Sequence, residues 1–286
     1  MTGWRWVLIG LAGLLPSCDR PRPIEARPAL YRLQDADTVI WLLGTVHVLP
    51  ERVQWETPAI VEAERSADTL VTELPAIDPD VAAGTFARIG KGSGLPPIVE
   101  RVPAAIRPKL EALAARVHLS LDDLSGMKSW AAALTLSAAT AGADSDATAM
   151  NGVDAVIGQR LAGKRRVGLE TLSGQLGLFD ALTEDDQRRL LADAVAGDGN
   201  YRATLDAWAK GDEARIAALV ARPMADAPVI EAVLLTRRNA RWAAWIGARM
   251  AAPGRVLVAV GAGHLAGPKS VIARLRAAGW KVARVQ

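Results

Sequence analysis

The spacing of apolar positions changes period along the chain. Leu30 to Gln34 and Thr38 to Leu43 flank the turn Asp35-Ala36-Asp37 and predict a hairpin. Val39-Ile40-Trp41-Leu42-Leu43 is apolar without a break, the pattern of a strand covered on both faces. Pro58 to Ser66 predicts a short helix, and Thr69 to Glu73 a second buried strand halted by Pro75 and Pro79. Gly90 to Pro97 reads as a loop, and Pro103 to Val117 as a helix with a proline at its entrance. Residues 119–140 are mostly helical, Ala141 to Ala149 is a small polar loop, Asp154 to Leu161 is helical, and Arg166 to Glu170 is a third buried strand. From Leu172 to Met250 the period is helical, broken at Gly197-Asp198-Gly199, at Gly211-Asp212 and from Ala221 to Asp226. Arg255 to Val260 is a fourth buried strand, a helix follows near Lys269 to Ala278, and Trp280 to Val285 alternates as a last strand. This order predicts an α/β fold on a central, mostly parallel sheet, with a large helical insertion at about residues 80–250.

The start of the chain has another character. Arg5 is its one early charge, and Val7 to Leu15 is an apolar run of signal-peptide length, too short to span a bilayer. It ends in Leu15-Pro16-Ser17-Cys18, which resembles a bacterial lipobox. Residues 1–18 are therefore expected to be a lipoprotein signal peptide with Cys18 as the lipidation site, and the alternative is an ordinary secretory signal. Asp19 to Pro28, rich in Pro and Arg, reads as a tether, leaving 29–286 as the folded domain. The expected location is the periplasmic face of a bacterial membrane through a lipid anchor, or else the soluble periplasm.

Composition narrows the classes. Half of the 286 residues are hydrophobic and 23% are charged, too apolar for a disordered chain. One cysteine excludes a disulfide scaffold. A net charge of +3 is weak for a nucleic-acid partner, and none is expected. There is no Gly-x-Ser-x-Gly elbow, and Gly90-Lys91-Gly92-Ser93-Gly94 lacks the spacing of a phosphate loop.

The chemistry lies in an internal repeat. Val39 to His47 and Val256 to His264 both read as five apolar residues, a glycine, two residues and a histidine, and the chain has three histidines in all. The glycine is expected to permit a sharp turn at the strand end. Glu73 and Glu170 end the other two strands. Ligands of open α/β sheets bind beyond the carboxyl ends of strands, so His47, Glu73, Glu170 and His264 form one candidate site. A lone histidine after a strand is more often a hydrogen-bonded structural residue, and a strand-end glutamate often pairs with a nearby arginine. The coincidence of four such groups outweighs those readings. His118 has no such context.

At these residues the sequence resembles the TraB/GumN family, which includes GumN-like proteins, the pheromone-shutdown protein PrgY and the animal TIKI proteins. The resemblance rests on Gly44-Thr45-Val46-His47, Gly261-Ala262-Gly263-His264 and Glu73. It extends to Leu169-Glu170-Thr171 with Gln175, Trp208 with Gly211-Asp212, Arg238-Asn239 with Trp242, and Val260 to Gly267. It implies a fold related to TIKI and erythromycin-esterase-like domains. It also implies metal-dependent protease chemistry at the two His motifs and a glutamate.

The residue chemistry is compatible with that. Two imidazoles with one or two carboxylates suit Zn²⁺, Mn²⁺ or Co²⁺. His47, His264 and Glu73 are the candidate ligands, and Glu73 or Glu170 is the candidate base. Glu170 follows Arg165 and Arg166 closely, which are candidates to hold it in an ion pair. Arg238 is a candidate to stabilise an oxyanion or hold a substrate carboxylate, with Asn239 beside it to orient a ligand. The leading reading is a metal-dependent hydrolase acting on a peptide or small molecule. The alternative is a protein that sequesters a peptide, a metal or haem without turnover. Substrate, metal and oligomeric state are not legible in the sequence.

Overall fold

A computed structural model describes residues 23–145, 147–197 and 200–286. The signal segment and Cys18 lie outside the described residues. Among those described, no helix is long and apolar enough to cross a membrane.

Six strands build the central sheet: β1 (Leu30–Gln34), β2 (Thr38–Thr45), β3 (Thr69–Thr72), β4 (Arg165–Gly168), β5 (Gly254–Gly261) and β6 (Val282–Arg284), in the spatial order β6-β1-β2-β5-β3-β4. β2, β5, β3 and β4 run parallel to one another, and β1 and β6 add an antiparallel edge. The protein is thus a mixed α/β fold. β2, buried at every position but Val39, and β5, buried from Val256 to Val260, are its central strands. Successive side chains on β2 feed opposite layers, as a strand's alternation requires. Ile40 and Leu42 join Val256, Val258, Trp242, Ile246 and Leu275 on one face. Trp41 and Leu43 join Leu257, Ile60, Ile157 and Trp208 on the other. A separate core of Ile98, Leu110, Leu113, Leu136, Leu191 and Val195 holds the helical middle together. There buried Arg101 donates to the carbonyls of Pro96, Met127 and Ser125 at 2.7, 2.6 and 2.6 Å, satisfying oxygens the loop leaves open.

Several expectations need correction. The third predicted strand is not buried: β4 is the sheet edge, and Arg165 and Arg166 on it are exposed. Residues 24–28 do not stand free as a tether: Ile24–Glu25 pairs in parallel with Val53–Gln54, and Ala26 and Pro28 are buried. The polar loop expected from Ala141 is helical as far as Ser145, the end of the Ser129–Ser145 helix. Pro79 does more than stop a strand. It is the first residue of the Pro79–Gly90 helix, whose N-cap Asp78 accepts from the backbone of Asp80 and Val81.

The two repeat units lie side by side but not in matching register. Ile40 pairs with Val256 and Thr45 with Gly261, so the strands are offset by one residue relative to the repeat. A one-residue offset exchanges the faces of equivalent side chains. Neither Gly44 nor Gly261 has a left-handed φ. Smallness, not turning, is what they supply: a Cβ on Gly44 would lie 3.1 Å from that of Ala262, and one on Gly261 would lie 3.1 Å from Glu73 Oε1.

Candidate functional site

The four nominated groups follow the parallel strands closely. His47 is two residues beyond β2, Glu73 directly follows β3, Glu170 is two beyond β4, and His264 sits in a short helix, Ala262–Leu265, continuing from β5. Past the last ladder residues, the amides of Leu169 and Glu170 donate to the carbonyls of Thr72 and Glu73 at 2.9 and 2.8 Å. That extension holds Glu73 and Glu170 next to each other.

The Arg237–Arg249 helix supplies the link among them. Its buried residues Arg238, Asn239, Trp242, Ala243 and Ile246 form one apolar-facing stripe, and a π-helical turn, Ala232–Thr236, leads into it. Arg238 donates through Nε to both Glu170 oxygens at 3.1 Å, and through Nη2 to Glu73 Oε2 at 2.7 Å and Glu170 Oε2 at 2.9 Å. Its Nη1 donates to the Leu234 carbonyl at 3.2 Å and to His264 Nε2 at 3.1 Å. An arginine has five N–H bonds, and all of those of Arg238 have protein acceptors. Its guanidinium lies 4.7 Å from the Trp242 ring centre, and the same ring lies 4.4 Å from that of His264.

The histidines differ sharply. The His264 side chain is 11% exposed and the His47 side chain 65% exposed. Asn239 Nδ2 donates to the Lys269 carbonyl at 2.9 Å, which turns Oδ1 towards His264 Nδ1 at 2.6 Å. His264 Nδ1 is then the protonated nitrogen, and its Nε2 lone pair faces Arg238. Burial pushes the His264 pKa down to about 4, against the pull of Glu73, so the ring is neutral. His47 Nδ1 bonds Asp154 Oδ2 at 2.8 Å, and Thr45 donates to the other Asp154 oxygen at 2.9 Å. That hydrogen bond, opposed by desolvation, raises His47 to about 9.

Glu73 receives a dense set of donors. Gly261 N–H reaches Oε1 at 2.9 Å, and Gln175 Nε2 joins Arg238 at Oε2 at 3.0 Å. Burial alone would raise its carboxyl, but the charge that His264 carries once protonated in acid, those of Arg238 and His47, and the Gly261 amide hold it down at about 2. Glu73 Oε1 lies 4.0 Å from His264 Nε2. Glu170 is paired with Arg238 and Arg241, not with its sequence neighbours Arg165 and Arg166.

A cleft of about 710 Å³ opens on this cluster. His47, Glu73, Asp154 and Gln175 line it, together with Pro75, Ile77, Ala155 and Arg166. Glu170, Arg238, Asn239 and His264 are not among its lining residues. Asp154 escapes a sequence reading because one aspartate opening a helix passes for a cap. Its signal is Gly152, where a Cβ would sit 2.1 Å from the His47 carbonyl oxygen. Only glycine lets that helix approach the His47 loop.

An α/β protein with a buried arginine–carboxylate–histidine cluster beyond its parallel strands, and a second histidine at the mouth of a cleft, is the class these features define. The TraB/PrgY/gumN family model matches residues 29–284, nearly the whole chain, and the protein belongs to that family. No curated protein and no solved structure matches it.

Proposed function

We propose that this protein is a metal-dependent hydrolase that cleaves peptides outside the cytoplasm. The observation that carries the reading is the anchoring of both Gly-x-x-His rings. Each is tied at Nδ1 to a side-chain oxygen, Asp154 for His47 and Asn239 for His264. Such a partner is the usual means of presenting Nε2 to a transition metal. Glu73, ionised and 4.0 Å from His264 Nε2, supplies an oxygen donor.

The donor set fits a borderline divalent ion such as Zn²⁺, Mn²⁺ or Co²⁺. Among the described residues, three His, Cys, Asp or Glu side chains are not already gathered as a ligand cage. Arg238 Nη1 donates to His264 Nε2, and His264 would serve only by giving up that hydrogen bond. His47, Glu73 and His264 would hold the ion, which would supply Lewis acidity for an attacking water and a scissile carbonyl. The chain's own residues do the rest. Glu170 keeps Arg238 in place, Arg238 and Gln175 orient Glu73, and Asp154 holds His47 by Nδ1, so that His47, charged at neutral pH without the ion, would give up its Nε2 proton to serve as a ligand. Glu73 and Glu170 are both candidates for the base.

A second reading, a binding protein without turnover, draws on the complete engagement of Arg238, which leaves it no N–H for an oxyanion. Elemental analysis of purified protein, then a peptide-cleavage screen with the metal found, separates the two. Bound metal with metal-dependent cleavage, lost in His47→Ala and in Glu73→Gln, supports the hydrolase. Stoichiometric metal without cleavage supports binding, and no metal affinity overturns the first reading. The location rests on the signal-like segment and Cys18, with a membrane as the anchoring partner. Cys18→Ala should abolish acylation, and a soluble, unacylated wild-type protein would count against the anchor.

A further inference from the structure

The cleft carries a cation that the cluster does not use. Arg166 lies in its wall, exposed, and its side chain makes no hydrogen bond or ion pair with any described residue. Neighbouring Arg160, Arg238 and Arg241 are all paired with carboxylates. Arg166 is also given room. Its Nη2 lies 2.7 Å from where a Cβ on Gly158 would be, so the guanidinium rests against a residue without a side chain. Gly158 itself lines the cleft.

The Val153–Arg160 helix sets a ruler between this cation and His47. Asp154, partner of His47, and Gly158, neighbour of Arg166, are four residues apart on it and both face the cleft. Four helical residues rise about 6 Å. An extended peptide advances about 3.3–3.6 Å per residue, so this separation is about two residues of substrate. The same cleft has apolar lining from Leu74, Pro75, Ile77, Pro79 and Ala155.

We propose that Arg166 receives the C-terminal carboxylate of an apolar peptide and fixes the bond to be cut one or two residues from that end. The placement of the cut rests on the hydrolase reading; the carboxylate recognition does not. In the reaction, water adds across the amide: the carbonyl carbon gains a C–O bond, the C–N bond breaks, and the proton leaves with the amine of the released C-terminal fragment.

The test is binding of an N-terminally dansylated trileucine in three forms, followed by fluorescence anisotropy: a free carboxylate, a carboxamide, and a carboxamide with glutamate as last residue. The wild-type protein should prefer the free carboxylate by about tenfold, the scale of one charge-assisted pair at a half-open site. Arg166→Gln, on an exposed edge strand, should bring the first two forms within about twofold. Gly158→Ala should weaken the preference by displacing the guanidinium. Equal wild-type affinity for acid and amide, no binding at all, or a preference surviving in Arg166→Gln overturns the proposal. Equal binding of the glutamate carboxamide overturns the C-terminal assignment. Carboxylate preference without cleavage under any metal removes the hydrolase reading and leaves this one standing, while cleavage without preference does the reverse.

Discussion

Arg238 Nη1 donates to Nε2 of His264 at 3.1 Å, so the one free lone pair of a buried neutral histidine faces a permanent cation. The same guanidinium satisfies Glu73 and Glu170, both of whose side chains are under 10% exposed. A buried charge without its partner is costly, whereas a buried pair as a whole is close to neutral.

Replacing Arg238 with Met therefore strands two carboxylates and should cost about 3–5 kcal/mol in a urea titration. Adding Glu73→Gln and Glu170→Gln to it should recover part of that loss. Arg238→Lys should fall between, since an ammonium has three donors where the fork has five. A loss below about 1 kcal/mol for Arg238→Met would mean that the carboxylates do not depend on it.

The contrast between the histidines is directly measurable, because the chain has only His47, His118 and His264. Ring-proton titrations by NMR should place His47 near 9 and His264 near 4. Asp154→Asn removes the carboxylate that lifts His47 and should lower it towards the ordinary 6.5. A wild-type His47 midpoint near 6.5 would show that the dyad with Asp154 does not form in solution.

Both buried groups should make the fold sensitive to acid. His264 is lowered from 6.5 to about 4, so its share of stability is complete above 6.5 and is lost as pH falls towards 4. Glu73 is lowered from 4.5 to about 2, so its share is complete above 4.5 and is lost as pH falls towards 2. His47 is raised, so its share is present below 6.5 and lost as pH rises through about 9, and the exposure of its ring keeps that share small. Melting temperatures should thus fall between pH 6.5 and 4 and again below 4.5, and His264→Gln should flatten the upper step. A wild-type melting temperature that rises from pH 6.5 to 4 contradicts this linkage.

The sequence shows the strand ends well and the cluster poorly. Five apolar residues before each Gly-x-x-His reveal β2 and β5, because unbroken burial leaves a compositional trace. The one-residue offset between them leaves none, since register depends on pairing and not on local pattern. It accompanies one open and one buried histidine where the repeat suggests equivalence. Glu170 is legible, but its partner is not. Arg165 and Arg166 are near in sequence, yet Arg238 and Arg241 arrive from a helix about seventy residues later. Asp154 is similarly hidden, for its role depends on a helix start meeting the His47 loop.

Two glycines distinguish packing that yields from packing that does not. Gly261 has φ −49°, open to alanine, and the atom nearest an added Cβ is Glu73 Oε1 at 3.1 Å, the end of a side chain. Gly152 has φ −56°, equally open, but the nearest atom is the His47 backbone oxygen at 2.1 Å. A carboxylate can move by a few tenths of an ångström, whereas a backbone carbonyl moves only with its loop. Gly261→Ala should therefore cost under about 1 kcal/mol while shifting Glu73. Gly152→Ala should cost about 1–3 kcal/mol and disturb the His47–Asp154 pair, returning the His47 titration towards 6.5. Denaturant melts and the His47 NMR titration of both variants check this. Equal stability losses, or a His47 midpoint unmoved in Gly152→Ala, would show that the close approach at Gly152 does not position the dyad.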